Sequence, residues 1–224
     1  MRLLIVNPNT SLSTTRRIAD AANTVALPDD DFVTCRAAFG PELIVTAEHG
    51  LEAARGVVEA IRRYPDKPDG IVLASFGDTG AQEVRGLWPD IPVVGIAEAA
   101  FAAALRIGGP YSIVTFADAV AQPLKDKAVE LGAGETLMQV ATLQTPLTGD
   151  PAELAEDLAE PLADLCRGCA KDGAQSIVIG GGPLAGLATR IAQHCPVPVI
   201  DGTQEAIAQM RARLALQSNA DFAK

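Results

Sequence analysis

Eight short apolar runs alternate along this chain with stretches of helical period, and the second four repeat the spacing of the first four. The first set reads "LLIV" (3–6), "FVTCRAA" (32–38), "GIVLAS" (70–75) and "PVVGI" (92–96). The second reads "YSIVTF" (111–116), "TLMQVAT" (136–142), "SIVIGG" (176–181) and "VPVID" (197–201). Ile71 and Val93 are 22 positions apart, as are Ile177 and Val199; Ser75 and Gly95 are 20 apart, as are Gly181 and Asp201. Continuous apolar runs separated by amphipathic helices specify parallel strands buried on both faces. Equal spacing over such a length is the mark of an internal duplication. The expected fold is therefore α/β, with two pseudo-symmetric lobes. Each is a four-stranded parallel sheet flanked by helices, and the active site lies in the cleft between them. The expected division is residues 1–100 with a C-terminal helix over 204–218 for lobe 1, and 101–203 for lobe 2.

The helices expected between the runs are "TTRRIADAANTVA", "LIVTAEHGLEAARGVVEAIRRY" and "GAQEVRGLW" in the first half. In the second they are "DAVAQPLKDKAVELG", "PAELAEDLAEPLADLCRGCAKDG" and "LAGLATRIAQH". Aromatic residues make up only 4% of the chain, so small and branched aliphatic side chains must fill the core.

A net charge of −10 argues against nucleic acid and against anionic membrane surfaces, both of which require a basic face. It leaves room for an anionic small molecule, which backbone N–H groups can hold inside an acidic protein. The opening apolar run is cut off by Asn7, Pro8 and Asn9, too early for a signal-peptide core. No apolar run reaches the ~18–20 residues of a membrane span. A cytoplasmic protein with a small-molecule substrate is expected, assembled as a homo-oligomer.

In open parallel sheets ligands bind beyond the carboxyl ends of the strands. Four such ends carry polar or glycine-rich sequence: Asn7–Thr10, Ser75–Thr79, Thr115–Phe116 and Gly180–Pro183. Asn7 and Thr10 sit where a turn and helix cap also want Asn, Pro and Thr. Ser75 ends its strand facing the cleft, while Asp78 or Thr79 suits a cap for the next helix. The surroundings of Ser75 do not match GxSxG, so a serine hydrolase is not indicated. "GGGPLAG" lacks the Lys and Ser/Thr of a phosphate loop and does not fit GxGxxG. His49 falls at the start of a helical pattern and His194 at a helix end. Cys35, Cys166, Cys169 and Cys195 have no partner set at zinc-site spacing, which favours packing roles.

These residues resemble the Asp/Glu/hydantoin racemase superfamily, most of all its hydantoin racemase branch. The resemblance rests on "LLIVNPNTS", "DGIVLASFGD", "PVVGIAEAA", "YSIVTF", "SIVIGGGPLAGLA" and "PVIDGTQEA". It implies cofactor-independent racemisation, in which two cysteines facing each other across a carbon exchange its proton. It places those cysteines where this chain has Ser75 and Gly181, and none of the four cysteines present falls on either position. The resemblance further implies a substrate cradle of Asn7, Thr10, Ser75, Phe76, Thr115, Phe116, Gly181 and Gly182, with no metal and no cofactor. The substrate would be a hydantoin, a related imide or a small carboxylate. A proton path without cysteine is then required, with Ser75 and Asp78 as its first candidates and His49 as a distant one. Two other readings stand beside this one. One is a decarboxylase or lyase of the same superfamily, which generates its own carbanion. The other is a non-catalytic protein that kept the cleft.

Overall fold

The structure, a computed structural model, describes residues 1–144 and 149–222. Eight strands form two sheets. The first holds β1 (Arg2–Asn7), β2 (Asp31–Arg36), β3 (Gly70–Leu73) and β4 (Val93–Gly95), in the order β2-β1-β3-β4. The second holds β5 (Tyr111–Thr115), β6 (Leu137–Thr142), β7 (Ser176–Ile179) and β8 (Val199–Asp201), in the order β6-β5-β7-β8. All pairings are parallel. The repeat read from spacing is a repeat of register: Ile71 pairs with Val93 and Leu73 with Gly95, as Ile177 pairs with Val199 and Ile179 with Asp201. Asn7 and Thr115 likewise follow equivalent pairs, Val6 with Leu73 and Val114 with Ile179.

The connections are α1 (Leu12–Asn23), α2 (Ala47–Arg63), α3 (Ala81–Leu87) and α4 (Ile96–Ile107), then α5 (Ala121–Glu130), α6 (Ala155–Lys171), α7 (Leu187–Ala192) and α8 (Gly202–Phe222). Two departures from the sequence reading bear on function. The second helix was expected from Leu43 but starts at Ala47, capped by Thr46, whose hydroxyl accepts from His49 N. Residues 43–46 are left as a strap. The helix after β5 is preceded by a 3-10 turn at Asp118–Val120, which ends beside the cavity described below.

One apolar core joins the lobes. Leu3, Ile5, Val72 and Val94 from the first sheet and Tyr111, Ile113, Val178 and Ile200 from the second belong to a single buried cluster, together with residues of α1, α4, α5 and α8. Helices α4 and α8 pack on each other so closely that a Cβ at Gly202 would lie 2.7 Å from the Ile96 carbonyl oxygen. Phe101 on α4 stands in this core between Phe76 (ring centroids 6.2 Å apart) and Tyr111 (6.0 Å). Outer faces are covered separately, by α2 and α3 over the first sheet and by α6 and α7 over the second. Among the described residues no helix is long and apolar enough to cross a membrane.

Because the core is shared, the lobes should unfold together. Phe101→Ala removes a ring that is 1% exposed and should cost about 3–5 kcal/mol. Calorimetry should show one transition moved to lower temperature, and two separated transitions would contradict a common core.

Candidate functional site

At the carboxyl ends of β3 and β7 a cavity of about 350 Å³ opens between the lobes, within the size range of small-ligand pockets. Its floor is Ala74–Gly77 from lobe 1 and Gly181–Gly182 from lobe 2. These segments touch: a Cβ at Gly182 would lie 3.0 Å from the Ala74 carbonyl oxygen. One wall is the strap of residues 43–46 with Ala47 at the start of α2, the other Val120, Pro123, Leu124 and Asp126 from the turn before α5 and its first turns. Asn9, Thr79 and Phe116 complete the lining.

The floor offers hydrogen-bond donors. The backbone N–H groups of Phe76, Gly77, Gly181 and Gly182 find no partner among the described residues. The Ser75 hydroxyl donates to Thr79 Oγ1 at 3.1 Å and accepts from Thr79 N at 3.3 Å. Gly181 adopts φ +126°, a conformation that L side chains rarely take, and a Cβ there would meet Phe116 Cε1 at 3.1 Å. The backbone at the second floor loop is thus shaped for glycine.

Of the residues singled out in the sequence, Ser75, Phe76, Phe116, Gly181 and Gly182 line the cavity. The others are held inside the scaffold. Asn7 Nδ2 donates to Asn9 Oδ1 (2.7 Å) and Thr15 Oγ1 (3.0 Å), while Asn7 Oδ1 accepts from Asn9 N (3.2 Å). Asn7 therefore orients Asn9, which does line the cavity. Thr10 pins the strap: its N–H donates to Pro41 O at 3.0 Å and its hydroxyl to Gly40 O at 3.2 Å. Thr115 Oγ1 donates to Gly180 O at 2.7 Å and fixes the start of the second floor loop. His49 lies in the first turn of α2, away from the lining.

Asp78, the first candidate for a base, is turned away from the cavity. Its two carboxylate oxygens accept from Ala97 N (3.0 Å) and Glu98 N (3.1 Å), which caps α4 rather than the next helix, α3. A base needs a free oxygen within reach of the substrate, and both of these are engaged elsewhere. Burial pushes this carboxyl up to about 6, against the lowering effect of the two N–H groups and of Lys127; Glu98 adds a smaller upward push.

Sequence reasoning missed the strap, whose apolar residues run directly into the helical pattern of α2, and Asp126, the one titratable side chain in the lining among the described residues. Asp126 is exposed and accepts from Gln122 Nε2 at 2.7 Å. A polar residue in the second turn of the helix after β5 was the available signal, but "QPLKDK" fits a solvated helix face equally well. No thiol lines the cavity. Burial lifts Cys35 to about 11 and pushes Cys166 and Cys169 up as well, keeping all three protonated.

Comparison with known proteins places this geometry. The profile of the Asp/Glu/Hydantoin racemase family matches residues 3–210. The chain is 32% identical to the hydantoin racemase of Paenarthrobacter aurescens over 221 residues, 96% of this chain and 92% of the relative. It is 30% identical to the hydantoin racemase of Pseudomonas sp. (strain NS671), over 90% of this chain and 81% of the relative. The solved structure of allantoin racemase from Klebsiella pneumoniae superposes with a TM-score of 0.87 at 32% identity, covering 97% of this chain and 89% of that one.

Two outcomes follow from the floor loops. Gly181→Cys should lower stability by about 1–3 kcal/mol, since the side chain must adopt a left-handed backbone against Phe116. Ser75→Cys should stay within about 1 kcal/mol of wild type; urea titrations of both variants measure the contrast. Asp78 should also leave a pH signature. The native state binds its proton more tightly than an unfolded carboxyl with the ordinary value of 3.8. The stability from this group is therefore full below pH 3.8 and is lost as pH rises through about 6. That loss should be on the order of 2–3 kcal/mol, and Asp78→Asn should flatten this part of the profile in denaturation series across the same pH range.

Proposed function

The chain belongs to the Asp/Glu/hydantoin racemase family, and from that premise we propose that it is a cofactor-independent racemase or epimerase of a small amino-acid derivative. The substrate in this reading is a hydantoin or a related imide or carboxylate, and the proton path uses no cysteine. The observation that carries it is the floor: four N–H groups from both lobes, without partners among the described residues, beneath largely apolar walls. Removing a proton from carbon beside a carbonyl moves negative charge onto the oxygen. Preorganised N–H donors stabilise that charge more than they stabilise the ground state. The five-membered imide ring is brought to this chain by relatives named hydantoin and allantoin racemases.

The proton itself needs another carrier. By the resemblance Ser75 stands at the first cysteine position and Gly181 at the second. An unassisted serine hydroxyl is too weak an acid to work as a thiolate does, and its hydrogen-bond partner is Thr79, not a base. In this reading the loop N–H groups hold the enolate oxygen, Ser75 braces their loop through Thr79, and the carbon-bound proton leaves through cavity water towards Asp126. A second reading, binding without turnover, is favoured by the bare β7 side, where Gly181 supplies no side chain.

Solvent-deuterium exchange at C5 of single-enantiomer hydantoins, followed by mass spectrometry and optical rotation, separates the two. Exchange should occur, and it should fall about 10–100-fold in Asp126→Asn if that carboxylate accepts the proton. Thermal stabilisation by the same compounds with no deuterium uptake would instead establish the binding protein. Neither exchange nor stabilisation would remove both readings.

A further inference from the structure

The two lobes carry the same contact built from opposite ends. In lobe 1 the carboxylate comes from the floor loop: Asp78, three residues past Ser75, accepts from Ala97 N and Glu98 N at the start of α4. In lobe 2 it comes from the end of the last strand: Asp201 accepts from Thr203 N (2.9 Å) and Gln204 N (3.2 Å) at the start of α8, and from Gly186 N (2.6 Å) at the end of the second floor loop. Strand register makes Gly95 the counterpart of Asp201, since Leu73 pairs with Gly95 as Ile179 pairs with Asp201. Leu184, three residues past Gly181, is then the counterpart of Asp78. A Cβ at Gly95 would lie 2.0 Å from Asp78 Oδ1. There is space for one carboxylate in each lobe, and the lobes fill it from different residues.

The lobe 1 arrangement is costly. Asp78 is the one non-glycine residue at positive φ among the described residues, at +46°. Its side chain is buried, and burial opposes its charge. It also requires glycine at position 95. A helix can be capped by Ser, Thr or Asn without any of these costs. What this geometry adds is a tie between the start of α4 and the loop that holds the cavity floor. We propose that Asp78 is a positioning residue whose carboxylate pins the loop of Ser75, Phe76 and Gly77 to the start of α4, as Asp201 pins the loop of Gly181 and Gly182 to the start of α8. The functional sense of this rests on reading those loops as the substrate cradle.

The test exchanges the two residues in lobe 1. Amide hydrogen exchange on the full chain without ligand reads Thr79 and Ala81, whose N–H groups bond to Ser75 Oγ and Asp78 O. In Asp78→Gly, which suits the positive φ, both should exchange about tenfold faster or more, as expected for losing hydrogen bonds to a charged group. The double variant Asp78→Gly/Gly95→Asp places the carboxylate where lobe 2 has it and should return both rates to within about threefold of wild type. Unchanged rates in the single variant, or a double variant as fast as the single, overturn the proposal. So does equal acceleration throughout β1 and β5, which marks general unfolding. Calorimetric titration with 5-benzylhydantoin should show affinity lost in the single variant and regained in the double. If wild type takes up no 5-benzylhydantoin, the substrate reading fails, and the exchange rates still decide the role of Asp78.

Discussion

The architecture depends on one apolar interface, the inner faces of two small parallel sheets joined through α4 and α8. A four-stranded parallel sheet must be covered on both faces, and helices of the lobe alone complete that cover only on the outer one: α2 and α3 in lobe 1, α6 and α7 in lobe 2. The inner faces are closed by the partner lobe and by shared helices, which is why side chains from both sheets fall in one cluster. With 4% aromatic residues, the tightness of that interface comes from alanine and glycine. Helix α4 buries Ala97, Ala99, Ala100, Ala103 and Ala104, and Gly202 lets α8 approach the first turn of α4. The carboxyl ends of β3 and β7 are thereby brought against each other, and the cavity is what remains between their loops.

Phe76 ties the site to this interface. It lines the cavity, is 7% exposed, and meets Phe101 edge-on in the common core. The first floor loop is therefore anchored at two points, by a ring in the core and by a carboxylate at the start of α4. The second loop is anchored by Thr115 at its beginning and Asp201 at its end. A set of N–H donors works only if it keeps its shape when charge develops, and the polar anchors, Asp78, Thr115 and Asp201, are not part of the cavity lining.

The fold was legible because spacing and burial act at the level of whole elements. The separation of 22 positions from Ile71 to Val93 and from Ile177 to Val199 turned out to be a register pair in each sheet. The site was legible only in part. Strand ends marked Ser75, Phe76, Phe116, Gly181 and Gly182, since position along a strand decides what reaches the cavity. Side-chain direction was not encoded in the same way. Asn7, Thr10, Thr115 and Asp78 have the residue types a ligand would want, and each is engaged by other groups of the scaffold instead. The strap at 43–46 was hidden because its apolar residues run directly into the helical pattern of α2, and its wall position depends on Thr10 reaching Gly40 and Pro41 across the chain.

The duplication also explains why the two halves of the site differ. Once each lobe has room for one carboxylate at its helix start, a change at one residue constrains its neighbour: Asp78 requires Gly95, and where lobe 2 has Asp201 the counterpart of Asp78 is the apolar Leu184. The two lobes thus hold equivalent helix starts with a carboxylate from different residues. The floor loops show the same divergence. The lobe 1 loop keeps a side chain, Ser75, on a backbone with ordinary φ. The lobe 2 loop has a backbone at φ +126° that excludes one, packed on Phe116. Of the two floor loops, one brings a side-chain hydroxyl to the cavity and the other only peptide groups. The pseudo-twofold symmetry of the scaffold therefore ends at the cavity floor, and any proton transfer performed there is required to be asymmetric as well.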